Sequence, residues 1–225
     1  IIAALCMLLF TYMIGGAISN IESTNTLKFS FVEIFYNVTL YFIFLIPIMT
    51  MRTFADERKF GTEVLLMTSP VSVLKIVLSK FFANITVFLF MLAGTLIFPI
   101  ITSINGTVII SQLICAYIGI FAWGAMFISL GMLVSSFTDN SIIAAIIGEI
   151  VMFAVLFLDD FANSAFISQF PKVQSVLYAF AAQPRFAYFS QGFIRLSDLV
   201  FFLSAVLVFL AWTYISIEKR RWNRG

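Results

Sequence analysis

The sequence predicts an all-α, polytopic membrane protein with six transmembrane helices, on three observations. Of 225 residues, 62% are hydrophobic and 11% charged, with a mean hydropathy of +1.07, too apolar for a soluble domain with a polar surface. A helical span needs about 20 apolar residues, so the length accommodates roughly six spans with short connections. Polar residues gather into breaks between long apolar runs rather than spreading along the chain. The whole of 1–225 reads as one transmembrane domain.

The first apolar run, about 1–16, is shorter than a bilayer requires and has neither a methionine nor a charged flank, so the native chain is expected to begin earlier. Residues 19–30 are a polar loop. The second span covers about 32–51, with Pro47 expected to bend its last turns. A polar segment, 52–80, follows. The third span runs over about 81–101 and closes at Asn105-Gly106, a tight-turn pair. The fourth covers about 108–134. Ser135 to Asn140 is the next break, and the fifth span covers about 141–158, stopped by Asp159 and Asp160. Residues 161–198 have intermediate polarity, are divided by Pro171 and Pro184 and carry aromatic residues throughout. The sixth span covers about 199–217 and precedes a basic tail.

Composition narrows the chemistry. With no histidine there is no imidazole base, no histidine-bound metal and no Ser-His-Asp nucleophile. Cys6 and Cys115 lie apart in apolar segments without CxxC spacing and read as buried apolar residues. Six spans put 52–80, the Ser135 to Asn140 turn and the C-terminal tail on one side, with nine basic residues against four on the other. The positive-inside rule makes that side cytoplasmic, with both termini there.

The 52–80 segment holds five of the thirteen basic residues and three of the eleven acidic ones. Phe54 to Met67 fits a short helix interrupted at Gly61-Thr62, and Pro70 fits the start of the next, which continues into the third span. On physics alone, an amphipathic helix lying on the membrane surface stands beside a partner-binding element as a reading.

The order Arg52-x-Phe-Ala-x-Glu-Arg-Lys-x-Gly-Thr, then Leu65-Leu66-x-Thr-Ser-Pro-Val-Ser, then Lys80-Phe81, resembles the segment between the second and third spans of type-2 ABC transporter permeases. The likeness is to the gliding-motility and copper-processing type branch. Leu130 to Ala145 looks like that family's turn between spans four and five, and Arg185-Phe-x-x-Phe-x-x-Gly192, leading through Asp198 into the last span, is a third match. The resemblance covers nearly the whole chain. It implies a type-2 ABC exporter-like transmembrane domain in the inner (cytoplasmic) membrane, a dimer of permease chains (homo- or heterodimer) and a separate ABC ATPase subunit that hydrolyses ATP. It also implies that 161–198 partly re-enters the outer leaflet.

In this family the polar segment is a coupling helix docked on the ATPase, which makes Glu57, Arg58, Gly61, Thr62, Thr68 and Pro70 the expected contacts. One position departs: the family often has an acidic residue two positions after Gly-Thr, where this chain has Val64, with Glu63 one position earlier. On a helix that is a turn of about 100°. The sequence has no G-x-x-x-x-G-K-[ST] element, so no P-loop is expected to bind ATP on this chain, no cofactor is expected of it, and its other partners are membrane lipids rather than nucleic acid.

Glu149 lies mid-way along the fifth span, where a carboxylate costs about 2.5 to 3.5 kcal/mol and so should face protein or water. It either lines a translocation path or sits protonated and hydrogen-bonded to a neighbouring helix, and Ala145, Gly148 and Ser141 beside it permit close helix approach. Asn37 is a milder case of the same kind. Gly119, Gly124 and Gly131 in the fourth span are expected to serve packing. Two rival readings are weighed. An ion- or proton-coupled secondary transporter or channel would need no ATPase, but the sequence has neither an internal repeat nor paired broken helices. An intramembrane enzyme lacks both histidine and a closely spaced acidic pair inside a span.

Overall fold

The computed structural model describes residues 31–64, 71–96, 99–100 and 109–223, with side chains from Thr39 to Arg221. The expected first span, 1–16, lies outside the described residues, as do Thr68 and Pro70. The described chain is helical throughout: α1 Phe31–Thr50, α2 Arg52–Lys59, α3 Val73–Gly94, α4 Ile110–Phe137, α5 Ser141–Leu156, α6 Leu158–Ala162, a 3₁₀ turn Ile167–Gln169, α7 Pro171–Phe180, α8 Gln183–Ser190 and α9 Leu196–Asn223. Among the described residues four helical stretches are long and apolar enough to cross a membrane: Thr39–Lys59, Val73–Gly94, Ile110–Phe137 and Leu196–Arg221.

The fifth apolar helix differs from expectation. Its 16 residues reach about 24 Å, against a hydrocarbon core of about 30 Å. It ends at Leu156, and Phe157 leaves helical geometry (φ −87°, ψ 15°). Asp159 and Asp160 do not stop it. They occupy the first turn of α6, where the helix dipole favours carboxylates.

Other boundaries move for local reasons. The third helix ends at Gly94, seven residues before the expected close, and the Thr95 hydroxyl that follows donates to the Leu92 carbonyl (2.7 Å). It begins at Val73 after an extended Ser72, not at Pro70. The fourth helix keeps Ser135 and Ser136 in its last turn, so the break shrinks to Thr138–Asn140, and the Asn140 side chain caps α5 by accepting from the Ile142 amide (2.9 Å). The last helix runs on through Glu218, Lys219, Arg220 and Arg221, where late basic residues suit the negative end of the dipole.

Helix α4 is the hub, packed against α1, α2, α3, α5, α8 and α9. From Trp123 to Ser136 every residue of it is buried. Its glycines admit neighbours as expected: a Cβ on Gly119 would lie 2.4 Å from the Phe189 Cβ, one on Gly124 2.2 Å from the Phe88 ring, and one on Gly131 2.2 Å from the Thr50 hydroxyl. Around them sit Trp123 against Phe127 (4.3 Å between ring centroids) and Phe42 edge-on to Phe88 (5.1 Å). Such aromatic pairs add about 0.5 to 1.5 kcal/mol each beyond area burial. Helix α5 packs through Ala144, Gly148, Met152 and Leu156; of the small residues expected to permit close approach, Gly148 is in this row, while Ser141 and Ala145 lie one position round.

Candidate functional site

At one end of the bundle the ends of α1, α4 and α9 meet α2 and the start of α3. Helix α2 buries Phe54 and Ala55 and turns its charges to both sides. Glu57 pairs with Lys80 of α3 at 2.5 Å. The same ammonium donates to the Thr53 carbonyl and stands 4.5 Å over the Phe54 ring. Asn84, one turn further along α3, donates to the Thr53 hydroxyl (3.3 Å).

Arg58 faces the other way, with only 3% of its side chain exposed. Its Nε lies 3.3 Å from Glu63 Oε1, and its Nη1 donates to the Thr138 carbonyl (3.2 Å) and lies 3.6 Å from Asp139. Arg220 of α9 approaches the same Asp139 carboxylate at 3.8 Å. Two arginines and two carboxylates therefore balance, which a group as buried as Arg58 requires. Of the residues expected as partner contacts, Glu57 and Arg58 have their charges engaged within the chain.

Gly61 and Thr62 end α2. Gly61 has φ +70°, its amide donates to the Arg58 carbonyl (3.0 Å), and the Thr62 hydroxyl takes the Glu57 carbonyl (3.2 Å). This is a glycine-based helix stop with a threonine supplying one of the capping bonds. Lys59, Phe60, Gly61 and Thr62 are all exposed, Phe60 to 69%. Sequence reasoning missed Phe60, Asn84 and Arg220, and it quoted Lys80 and Asp139 only within the matched stretches, without their partners. The 130–145 match did include Asp139, but only the fold brings that turn against α2.

The opposite end is closed by α8. Arg185 bonds Asp198 (3.0 Å) and the Ala179 carbonyl (3.1 Å) and lies 4.2 Å from the Phe201 ring centroid. Phe186 and Phe189 are buried, the first beside Trp123 (6.4 Å) and the second against Gly119. Gly192 turns with φ +89°, close to Gln112, whose amide donates to the Ser190 carbonyl (3.0 Å). Every quoted position of the Arg185-Phe-x-x-Phe-x-x-Gly192…Asp198 row thus has a contact. Pro171 and Pro184 stand in the first turns of α7 and α8, where a missing amide costs nothing. Helix α7 has no buried residue.

Glu149 is half-buried at the edge of the α5 contact stripe, with Oε1 buried and without a hydrogen-bond partner among the described residues. Asn37 lies in α1, and its side chain is outside the described residues.

Comparison with known proteins gives one result. Neither the curated proteins nor the solved structures gave a match. A family model, described as ABC-2 family transporter protein, matches residues 1–155, which takes in α1 to α4, nearly all of α5 and the whole charged end around α2 apart from Arg220. With its apolar helices, the chain belongs to the ABC-2 family of transporter proteins, whose permeases are membrane transport subunits and not themselves the ATPase.

Proposed function

We propose that this chain is the permease subunit of an ATP-driven exporter, working as a dimer of permease chains with a separate ABC ATPase subunit that binds and hydrolyses ATP. The observation that carries the reading is the build of α2. Its inner side is tied to α3, α4 and, through Asp139, to α9, while Lys59, Phe60, Gly61 and Thr62 at its tip are exposed. An element of that kind accepts a push at its tip and passes it to several helices as a rigid body.

The proposed docking surface is the Phe60–Thr62 turn, with Glu57 and Arg58 as the braces behind it; Thr68 and Pro70, outside the described residues, are further proposed contacts on the family resemblance alone. The charge asymmetry supports an inner-membrane location with α2 and both termini in the cytoplasm. Six spans, the gliding-motility and copper-processing type branch, and a re-entrant outer segment over 161–198 belong to the same reading. Glu149 and Asn37 are the proposed polar residues of the translocation path.

Affinity purification of the permease from its own cells tests the docking. An ABC ATPase is expected to co-purify, and Phe60→Asp is expected to lower its recovery at least tenfold with the unfolding temperature of the permease unchanged, as for an exposed aromatic anchor. Full recovery with Phe60→Asp overturns the docking surface. Flux in purified vesicles that persists without ATP and stops with Glu149→Gln favours a proton-coupled transporter instead.

A further inference from the structure

The α1–α2 junction carries a device that neither helix supplies for itself. Met51 has helical dihedrals (φ −54°, ψ −34°), and its amide still donates to the Pro47 carbonyl (2.8 Å). In a continuous helix the Ala55 amide would close on the Met51 carbonyl. Instead the Ser135 hydroxyl, from the last turn of α4, stands between them. It accepts from the Phe54 amide (3.1 Å) and the Ala55 amide (3.2 Å) and donates to the Met51 carbonyl (2.9 Å). One donor and two acceptor sites are all filled, which exhausts what a serine hydroxyl offers. Ser135 is fully buried and 80 residues or more away in sequence. A side chain inserted into the i to i+4 ladder is one of the few physical causes of a sharp helix break.

We propose that Ser135 is the positioning residue of the coupling element. Its hydroxyl is the pin of a hinge at Met51, so the angle between α1 and α2 is set from the last turn of α4. The inference rests on the reading of α2 as the ATPase-docking element and adds to it the residue that fixes that element's attitude. Removing the hydroxyl leaves two outcomes for α2: the ladder closes across Met51 and α2 becomes a direct continuation of α1, or the junction frays. Both change the α1–α2 geometry.

The test uses the full chain in lipid nanodiscs with Cys6 and Cys115 replaced by alanine and spin labels at Phe44→Cys on α1 and Lys59→Cys on α2. Ser135→Ala is expected to shift or broaden the label-to-label distance distribution, and Ser136→Ala, one position along, to leave it unchanged. In the unlabelled complex, Ser135→Ala is expected to retain the co-purified ATPase at wild-type stoichiometry while its hydrolysis rate changes severalfold. An unchanged distance distribution overturns the hinge. A changed distribution with unchanged hydrolysis overturns its role in coupling. Absence of any ATPase from the wild-type preparation overturns the docking reading itself, so the failures are distinguishable.

Discussion

The two ends of the bundle are both fastened by an arginine and a carboxylate, yet they are built for different purposes. At the α8 end, Arg185 and Asp198 face each other at 3.0 Å, Phe201 covers the guanidinium, and Phe186 and Phe189 seal α8 onto α4. That pair joins neighbouring elements, α8 and α9, in one closed contact. At the α2 end the charges are spread over α2, α3, the α4–α5 turn and α9, and the group they hold presents an exposed aromatic turn. Fastening by one pair between two elements fixes a position, whereas fastening by several pairs shared among several elements lets a segment stay connected while it moves.

The sharpest way to break the comparison is to remove one partner of the closed pair. Arg185→Ala leaves the Asp198 carboxylate, 5% exposed, without its counter-charge, and losing a partner from a buried pair costs about 3 to 5 kcal/mol. Arg185 itself is 25% exposed, so water relieves part of the penalty and the low end, about 3 kcal/mol, is expected. Thermal unfolding in detergent measures it, and the double exchange Arg185→Asp with Asp198→Arg should recover part of the loss.

Next in size is the seal. Gly119→Ala would put a methyl 2.4 Å from the Phe189 Cβ, an atom held by backbone rather than the free end of a side chain, so α8 must shift. Overpacking of that kind costs about 2 kcal/mol, and cleavage of the α8 segment by added protease should rise with it. Smaller again is Gly61→Ala at the α2 end. The space is open but φ is +70°, so the cost is about 1 kcal/mol of backbone strain. It should appear in ATPase recovery more than in the unfolding temperature, because it re-aims the exposed turn.

Much of the fold was legible because hydropathy alone decides what lies in a bilayer. The runs that became α1, α3, α4 and α9 contain few charges, and their polar flanks bracket them. The break at Phe157 was not legible: Phe157 and Leu158 are as apolar as the residues before them, and no turn residue marks the place. At the α2 end, glycine at 61 announced a helix stop through its freedom to adopt positive φ. The direction of Glu57 and Arg58 was hidden, because it depends on Lys80 and Thr138, 23 and 80 positions away, and sequence order does not say which face of an eight-residue helix meets them. Ser135 reads as a loop serine until α1 and α4 are side by side.

The smallest expected effect is the most searching. Asp139 sits between Arg58 and Arg220 at 3.6 and 3.8 Å but is 79% exposed. An ion pair at such a surface contributes about 0 to 1 kcal/mol and fades as salt rises. Arg58 keeps Glu63 and the Thr138 carbonyl when the carboxylate is neutralised, so no buried charge is stranded. Asp139→Asn is therefore expected to change stability by no more than about 0.5 kcal/mol, with the difference vanishing in high salt. What should change is the freedom of α9 relative to α2, seen as faster amide exchange over the last turns of α9. A loss as large as that of Arg185→Ala would mean that the α2 end is as rigid a clip as the α8 end, and the contrast between a fixed and a movable fastening would fall.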